Sequence, residues 1–218
     1  MTLKFNRNQL RAYFVCGTQD VPGANLETVV QSALDAGITA YQYRDKGTSQ
    51  LTPNERLALG RRLHQRCAAA NVPFIVDDDV ELALALNADG IHVGQKDDRV
   101  TTVLQRVAGQ MFVGLSCSTL SEVAIANKVA GIAYIGSGPI FPTTSKADAD
   151  PVVGLTGLQQ LVAHSQRPIV AIGGITESQL KPVAATGVAG SAVISMIARS
   201  TDMTRTVGAM LAATALQS

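Results

Sequence analysis

FIVDDDVELALALNADGIHVGQKD, residues 74–97, carries the pattern that decides the fold. Phe74–Asp77 is an apolar run of strand length that ends on an acid. Asp79 stands just before the apolar run Val80–Leu86, where an acid suits a helix N-terminus. Ile91–Val93 is a second short apolar run, and it again ends on polar residues, Gly94 to Asp97. Strand, helix and strand in such close succession imply a right-handed crossover between parallel strands.

The same alternation extends both ways along the chain. Strands are expected at Ala12–Cys16, Ala40–Arg44, Phe74–Asp77, Ile91–Val93, Phe112–Ser116, Ala133–Gly136, Ile169–Ile172 and Ser191–Ile194. Longer amphipathic runs fill the gaps, several with start signals. Thr52 with Glu55 is a capping box with Pro53 at the first helical position. Thr119 with Glu122, Thr156 with Gln159, and Thr176 with Gln179 repeat the box. Eight strand–helix units fit a (β/α)8 barrel, a TIM barrel, as a single domain over residues 1–218. An open doubly wound sheet would call for a GxGxxG string after the first strand, and Cys16-Gly-Thr-Gln-Asp20 supplies none. The longest loop, Gly138 to Thr156, holds three prolines and has the length of a lid or binding loop.

Composition narrows the partners. The chain has 218 residues, 46% of them hydrophobic, with 18 basic and 17 acidic residues and no charge run. Nucleic acid and anionic membrane surfaces are therefore not expected, and phosphate recognition must be local. Residues 1–10 lack the apolar core of a signal peptide, and no apolar run has the ~18 residues of a membrane span. Three cysteines without paired spacing suit a reducing cytoplasm. A homodimer is compatible with this size class, but no stripe in the sequence marks an interface.

Polar strings at the strand ends suggest one mouth built from many loops. In QYRDK, Gln42 to Lys46, period two puts Gln42, Arg44 and Lys46 on one face. These cations either reach an anionic ligand or pair with Asp45 or Asp77–Asp79. In VDDD, Val76 to Asp79, three consecutive acids require a cation. Asp79 is assigned to the helix cap, and Asp78, with Asp97 beyond the fourth strand, to a metal. Thr143, Thr144, Ser145 and Lys146 in the long loop are expected to make a phosphate or pyrophosphate clamp, the alternative being a loop that proline and glycine punctuate without function. AIGGI, Ala171 to Ile175, brings backbone N–H groups close enough for a phosphate, with Ser195 beside it. His64 is expected in solvent, His164 at a helix C-terminus, and His92 facing the barrel interior.

With these strings in order, the chain resembles the thiamine-phosphate synthase family over nearly its whole length. FIVDDDVELAL followed by ADGIHVGQKD is especially close. The resemblance implies a (β/α)8 enzyme that joins 4-amino-5-hydroxymethyl-2-methylpyrimidine diphosphate to 4-methyl-5-(2-phosphoethyl)thiazole, giving thiamine phosphate and pyrophosphate. It implies that Gln42, Tyr43, Arg44, Asp45, Lys46, Asp77, Ser116 and Lys146 bind the pyrimidine diphosphate, with Arg44, Lys46 and Lys146 acting in catalysis. It implies thiazole phosphate binding by Thr143, Thr144, Ser145, Gly174, Ile194 and Ser195, and one magnesium ion per site on Asp78 and Asp97. Three positions depart from the family's usual pattern. Asp77 replaces asparagine, Lys96 replaces an acid, and Ser118 replaces a histidine. A thiazole tautomerase, a non-catalytic thiamine-phosphate binder and a phosphosugar isomerase are the alternatives. The first would need a proton-transfer base near Ser116, and no histidine is expected there.

Overall fold

The computed structural model describes residues 3–95, 99–145 and 151–215. Eight parallel strands close into a barrel in sequence order. They are β1 Ala12–Cys16, β2 Ala40–Tyr43, β3 Phe74–Asp77, β4 Gly90–Val93, β5 Phe112–Ser116, β6 Ile132–Ser137, β7 Ile169–Ile172 and β8 Gly190–Val193. Each lies within one residue of the run expected from sequence. Closure is direct: Ala12, Tyr13 and Phe14 of β1 pair with Ser191, Ala192 and Val193 of β8.

Outside the sheet lie α1 Leu26–Asp35, α2 Pro53–Ala69, α3 Val80–Leu86, α4 Val100–Val107, α5 Leu120–Lys128, α6 Gly154–His164, α7 Leu180–Ala184, α8 Ser195–Ala198 and α9 Met203–Ala215. The start signals work as their chemistry requires. Thr52 and Glu55 cap each other reciprocally at α2, and Thr119 and Glu122 do so at α5. Asp79 accepts from the Leu82 N–H at 2.9 Å, so it is the cap of α3. Gln179 reaches back to the Thr176 N–H at 2.8 Å, opening a 3₁₀ turn rather than an α-helix. The box at Thr156 and Gln159 does not start a helix. The Val153 N–H is tied to Pro139 O at 2.8 Å, and α6 begins at Gly154.

Two-residue periodicity divides the core into two layers. Phe14, Tyr41, Tyr43, Phe74 and Ile91 point outward and pack under the helices. Tyr13, Val15, Ile75, Tyr134 and Val170 point inward and fill the barrel. Burial of each large apolar side chain contributes about 1.5–3 kcal/mol before the entropy of ordering is subtracted. Phe5 stacks on Tyr134 with centroids 5.7 Å apart, next to Phe112, and caps the interior. His64 is not in solvent. Its ring stacks on Phe74 at 5.1 Å and its Nδ1 lies 3.0 Å from Leu86 O, because α2 lays this face on β3.

Candidate active site

The polar strand ends converge on a cavity of about 540 Å³ at the C-terminal mouth of the barrel. Arg44, Lys46, Asp77, Asp78, His92, Gln95 and Ser116 line one part of it. Thr143, Ser145, Gly173, Gly174, Ile194 and Ser195 line another. An acid–cation set and a glycine turn therefore face one space.

The acids and cations are already engaged. Arg44 Nε lies 3.3 Å and Lys46 Nζ 3.1 Å from Asp77 Oδ2, and Lys46 also holds Asp78. The pairing of these cations with Asp77 and Asp78 is therefore present, and the paired groups also line the cavity. Burial works to lower the Lys46 pKa. The attraction of Asp77 and the hydrogen bond to Asp78 outweigh it, and the ammonium stands above its ordinary range. The two cations and two carboxylates cancel in formal charge, so a diphosphate here calls for further positive charge. Asp77 and Asp78 converge on one ammonium, a donor set that suits a hard divalent cation completed by phosphate oxygens and water. Among the described residues no group of three or more metal-ligating side chains occurs. Magnesium bound with a phosphate ligand requires only one or two protein carboxylates.

Local backbone explains why Asp78 points into the mouth. It takes the left-handed conformation, φ 58°, while its N–H donates to His92 O at 2.8 Å. Aspartate tolerates that region better than most residues. The kink sends Asp78 to the cavity and leaves the next acid, Asp79, to cap α3 and meet Arg56 at 3.1 Å.

Two residues of the QYRDK string turn elsewhere. Tyr43 is buried outward under α2, its hydroxyl 3.4 Å from Arg56 O. Asp45 is buried and accepts from the Thr18 N–H at 2.9 Å and from the Thr18 and Ser49 hydroxyls at 2.6 Å each. As side chains they brace the loop and do not reach the cavity. Strand alternation explains Tyr43, and a hydroxyl-rich turn captures Asp45. Gln42 lies on the barrel floor, where its amide donates to the Tyr13 hydroxyl at 2.8 Å. Thr144 does not line the cavity, whereas Thr143 and Ser145 do. Asp97, Lys96 and Lys146 lie outside the described residues.

The glycine turn is set by close approach. Gly173 and Gly174 have φ 96° and 68°, and a Cβ on Gly174 would stand 2.6 Å from the carbonyl oxygens of Phe141 and Pro142. Phe141 N donates to Gly173 O at 3.0 Å, so the loop after β6 is laid against the turn after β7.

Several participants had no role assigned from the sequence. Gln19 donates to Arg44 O at 2.7 Å and holds the cation strand end. Gln95 donates to Ser116 O at 2.7 Å. Ser118 donates to Gly138 O at 2.7 Å and lines the cavity, so it anchors the long loop. A histidine does adjoin Ser116: His92 Nε2 lies 3.0 Å from its Oγ. That corrects the sequence argument against a tautomerase. β4 and β5 are neighbours in the barrel, and the pairing of His92 with Gly114 brings distant positions together.

The thiamine monophosphate synthase family profile matches residues 12–197, which take in all eight strands. The chain belongs to that family. A thiamine-phosphate synthase of Lactiplantibacillus plantarum is 76% identical, across 98% of this chain and 99% of that one. Another, of Levilactobacillus brevis, is 64% identical, across 96% and 97%. Among solved structures, a thiamine phosphate pyrophosphorylase from Pyrococcus furiosus superposes with a TM-score of 0.83 at 32% identity, covering 97% of this chain and 98% of that one. That structure and this chain thus share the barrel fold. Among the described residues no helix is long and apolar enough to cross a membrane.

Proposed function

We propose that this chain joins 4-amino-5-hydroxymethyl-2-methylpyrimidine diphosphate to 4-methyl-5-(2-phosphoethyl)thiazole, producing thiamine phosphate and pyrophosphate. The observation that carries the reading is the shared cavity. Cations and carboxylates for a diphosphate and a glycine turn for a second phosphate open into one space. Relatives named thiamine-phosphate synthase at 76% and 64% identity support it, and the tautomerase, isomerase and non-catalytic alternatives have no such support.

In this reading Arg44 and Lys46 hold the diphosphate, with Ser116 and Lys146 completing its site and Gln42 beneath the pyrimidine. Thr143, Ser145, Gly174, Ile194 and Ser195 hold the thiazole phosphate. The bond between the pyrimidine methylene and the diphosphate oxygen breaks, and its electron pair leaves with pyrophosphate. The 4-amino group delocalises the charge left on the methylene, and the thiazole nitrogen lone pair forms the new C–N bond. No protein nucleophile is needed. Arg44, Lys46 and Lys146 stabilise the growing negative charge on the leaving oxygen. A magnesium ion held by Asp78 and Asp97 supplies further positive charge there when bound. The long loop keeps water from the reacting carbon. Three buried free thiols accord with a cytoplasmic enzyme.

The test mixes purified protein, both substrates and magnesium, and reads thiamine phosphate as fluorescent thiochrome. Product that disappears with EDTA supports synthase and metal together. Product that persists with EDTA removes the metal from the reading. No product overturns the enzyme reading.

A further inference from the structure

A chain of hydrogen bonds runs up the barrel interior to the mouth. Gln42 Nε2 donates to the Tyr13 hydroxyl at 2.8 Å, which lies 2.9 Å from the Tyr134 hydroxyl. Tyr134 lies 3.1 Å from His92 Nδ1, and His92 Nε2 lies 3.0 Å from Ser116 Oγ. Tyr13 and Tyr134 are fully buried and Gln42 is 5% exposed. Neighbouring positions leave room for these rings. A Cβ on Gly114 would stand 2.6 Å from His92 Nδ1, and one on Gly136 2.9 Å from His92 Cε1. Burial above all holds the pKa of both tyrosines above its usual range, so each hydroxyl keeps a proton to donate.

Each hydroxyl in such a chain donates once, so the whole chain has one direction. An anion at the mouth can only accept, so Ser116 must donate to it and must accept from His92 Nε2–H. His92 Nδ1 then accepts from Tyr134, Tyr134 from Tyr13, and Tyr13 from the Gln42 amide. The Gln42 amide stands with its nitrogen toward Tyr13, so the two ends of the chain demand the same polarity. The Gln42 side-chain oxygen Oε1 accepts no side-chain hydrogen bond among the described residues. Gln42 also lines a chamber of about 30 Å³ on the cavity floor, beside His92 and Ser116. We propose that Tyr13, Tyr134 and His92 are positioning residues, forming a polarised relay that links the pyrimidine end of the site at Gln42 to Ser116 and aims the Ser116 proton at the diphosphate. The proposal rests on the synthase reading for the identity of the two ends.

Two measurements test it. Nitrogen NMR reports the His92 tautomer without turnover, with inorganic pyrophosphate and magnesium present and the signals assigned by a His92→Gln variant. The relay requires Nε2–H in the wild type. Gln42→Glu replaces the donor with an acceptor and reverses the chain, so His92 converts to Nδ1–H. A wild-type Nδ1–H form, or no change in Gln42→Glu, overturns the relay. In kinetics, Tyr134→Phe and Tyr13→Phe each keep the ring and lower the turnover number about tenfold, the worth of one hydrogen bond to a charged group, with KM little changed. In a Ser116→Ala background Tyr134→Phe costs nothing further, whereas an equal loss in both backgrounds means a packing role and overturns the relay. Wild-type protein that makes no thiamine phosphate overturns the proposed function, and the tautomer measurement still decides the relay.

Discussion

Arg44 Nε lies 3.3 Å from Asp77 Oδ2, and this contact joins the ends of β2 and β3 at the point where the cavity is most highly charged. Asp77 is buried, so its charge is opposed by Arg44 and Lys46 rather than by water. A diphosphate must compete with Asp77 for both cations.

Asp77→Asn removes that competition and adds an N–H that can donate to a phosphate oxygen. The KM for the pyrimidine diphosphate should fall about threefold to tenfold, since a nearby carboxylate raises the cost of binding an anion by roughly one hydrogen bond's worth. Steady-state kinetics at fixed magnesium checks this. A KM that rises or stays the same contradicts it. Lys96→Glu in the same background tests whether Lys96 offsets Asp77.

Lys46→Ala removes a cation shared by Asp77 and Asp78 and leaves both carboxylates without it. The turnover number should fall by ~10²–10³, as for other preorganised charge-stabilising groups. Single-turnover kinetics at saturating substrate is the measurement, and an unchanged rate removes Lys46 from the chemistry.

Asp78 and Asp79 separate a site role from a structural one. Asp79→Ala loses the α3 cap and the Arg56 pair, so stability should drop by about 1 kcal/mol. The melting temperature should fall by about 2–4 °C. Turnover should be unchanged, because Asp79 does not line the cavity. Asp78→Ala should do the reverse, with activity lost and melting little altered. A thermal melt beside the thiochrome assay decides both.

The thiols predict alkaline behaviour. Burial, helped by Glu122, pushes the Cys117 thiol from 9.0 up to about 12, and burial raises Cys16 and Cys67 as well. The folded state holds these protons more tightly than the unfolded state. Their stabilisation is therefore complete below pH 9.0 and is lost as pH rises toward about 12. The urea midpoint should fall between pH 8.5 and pH 10.5, roughly the window those pKa values open. At pH 8 a disulfide-exchange reagent should titrate the thiols only after unfolding. Rapid labelling of native protein would contradict this burial.

The barrel was legible because each unit repeats one physical rule, an apolar run of strand length followed by a capped amphipathic helix. The common face of Gln42, Arg44 and Lys46 was legible because strand alternation assigns sides without tertiary information, whereas the choice of Asp77 over Asp45 as partner needed the structure. Asp79 was readable as a cap from its place before Val80. What could not be read depends on neighbours distant in sequence. Ser116 meets His92 only because β4 and β5 pair, and Asp45 turns away only because Thr18 comes from the preceding strand's loop. The start of α6 was missed because a tie between Val153 and Pro139 overrides the local capping signal.

The contact between the β6 loop and the β7 turn also ties both described ends of the long loop to the barrel. Ile140 N bonds Ile172 O at 3.0 Å, Phe141 N bonds Gly173 O, and Val153 N returns to Pro139 O. One foot of the loop therefore stands on the turn after β7 and the other on Pro139 beside it, like the two ends of a handle on one plate. The described ends of the loop are held to the barrel frame at Phe141 and at Val153. With both ends mounted in this way, a shift of the backbone at Ile172 or Gly173 is passed through Pro139 to both feet at once.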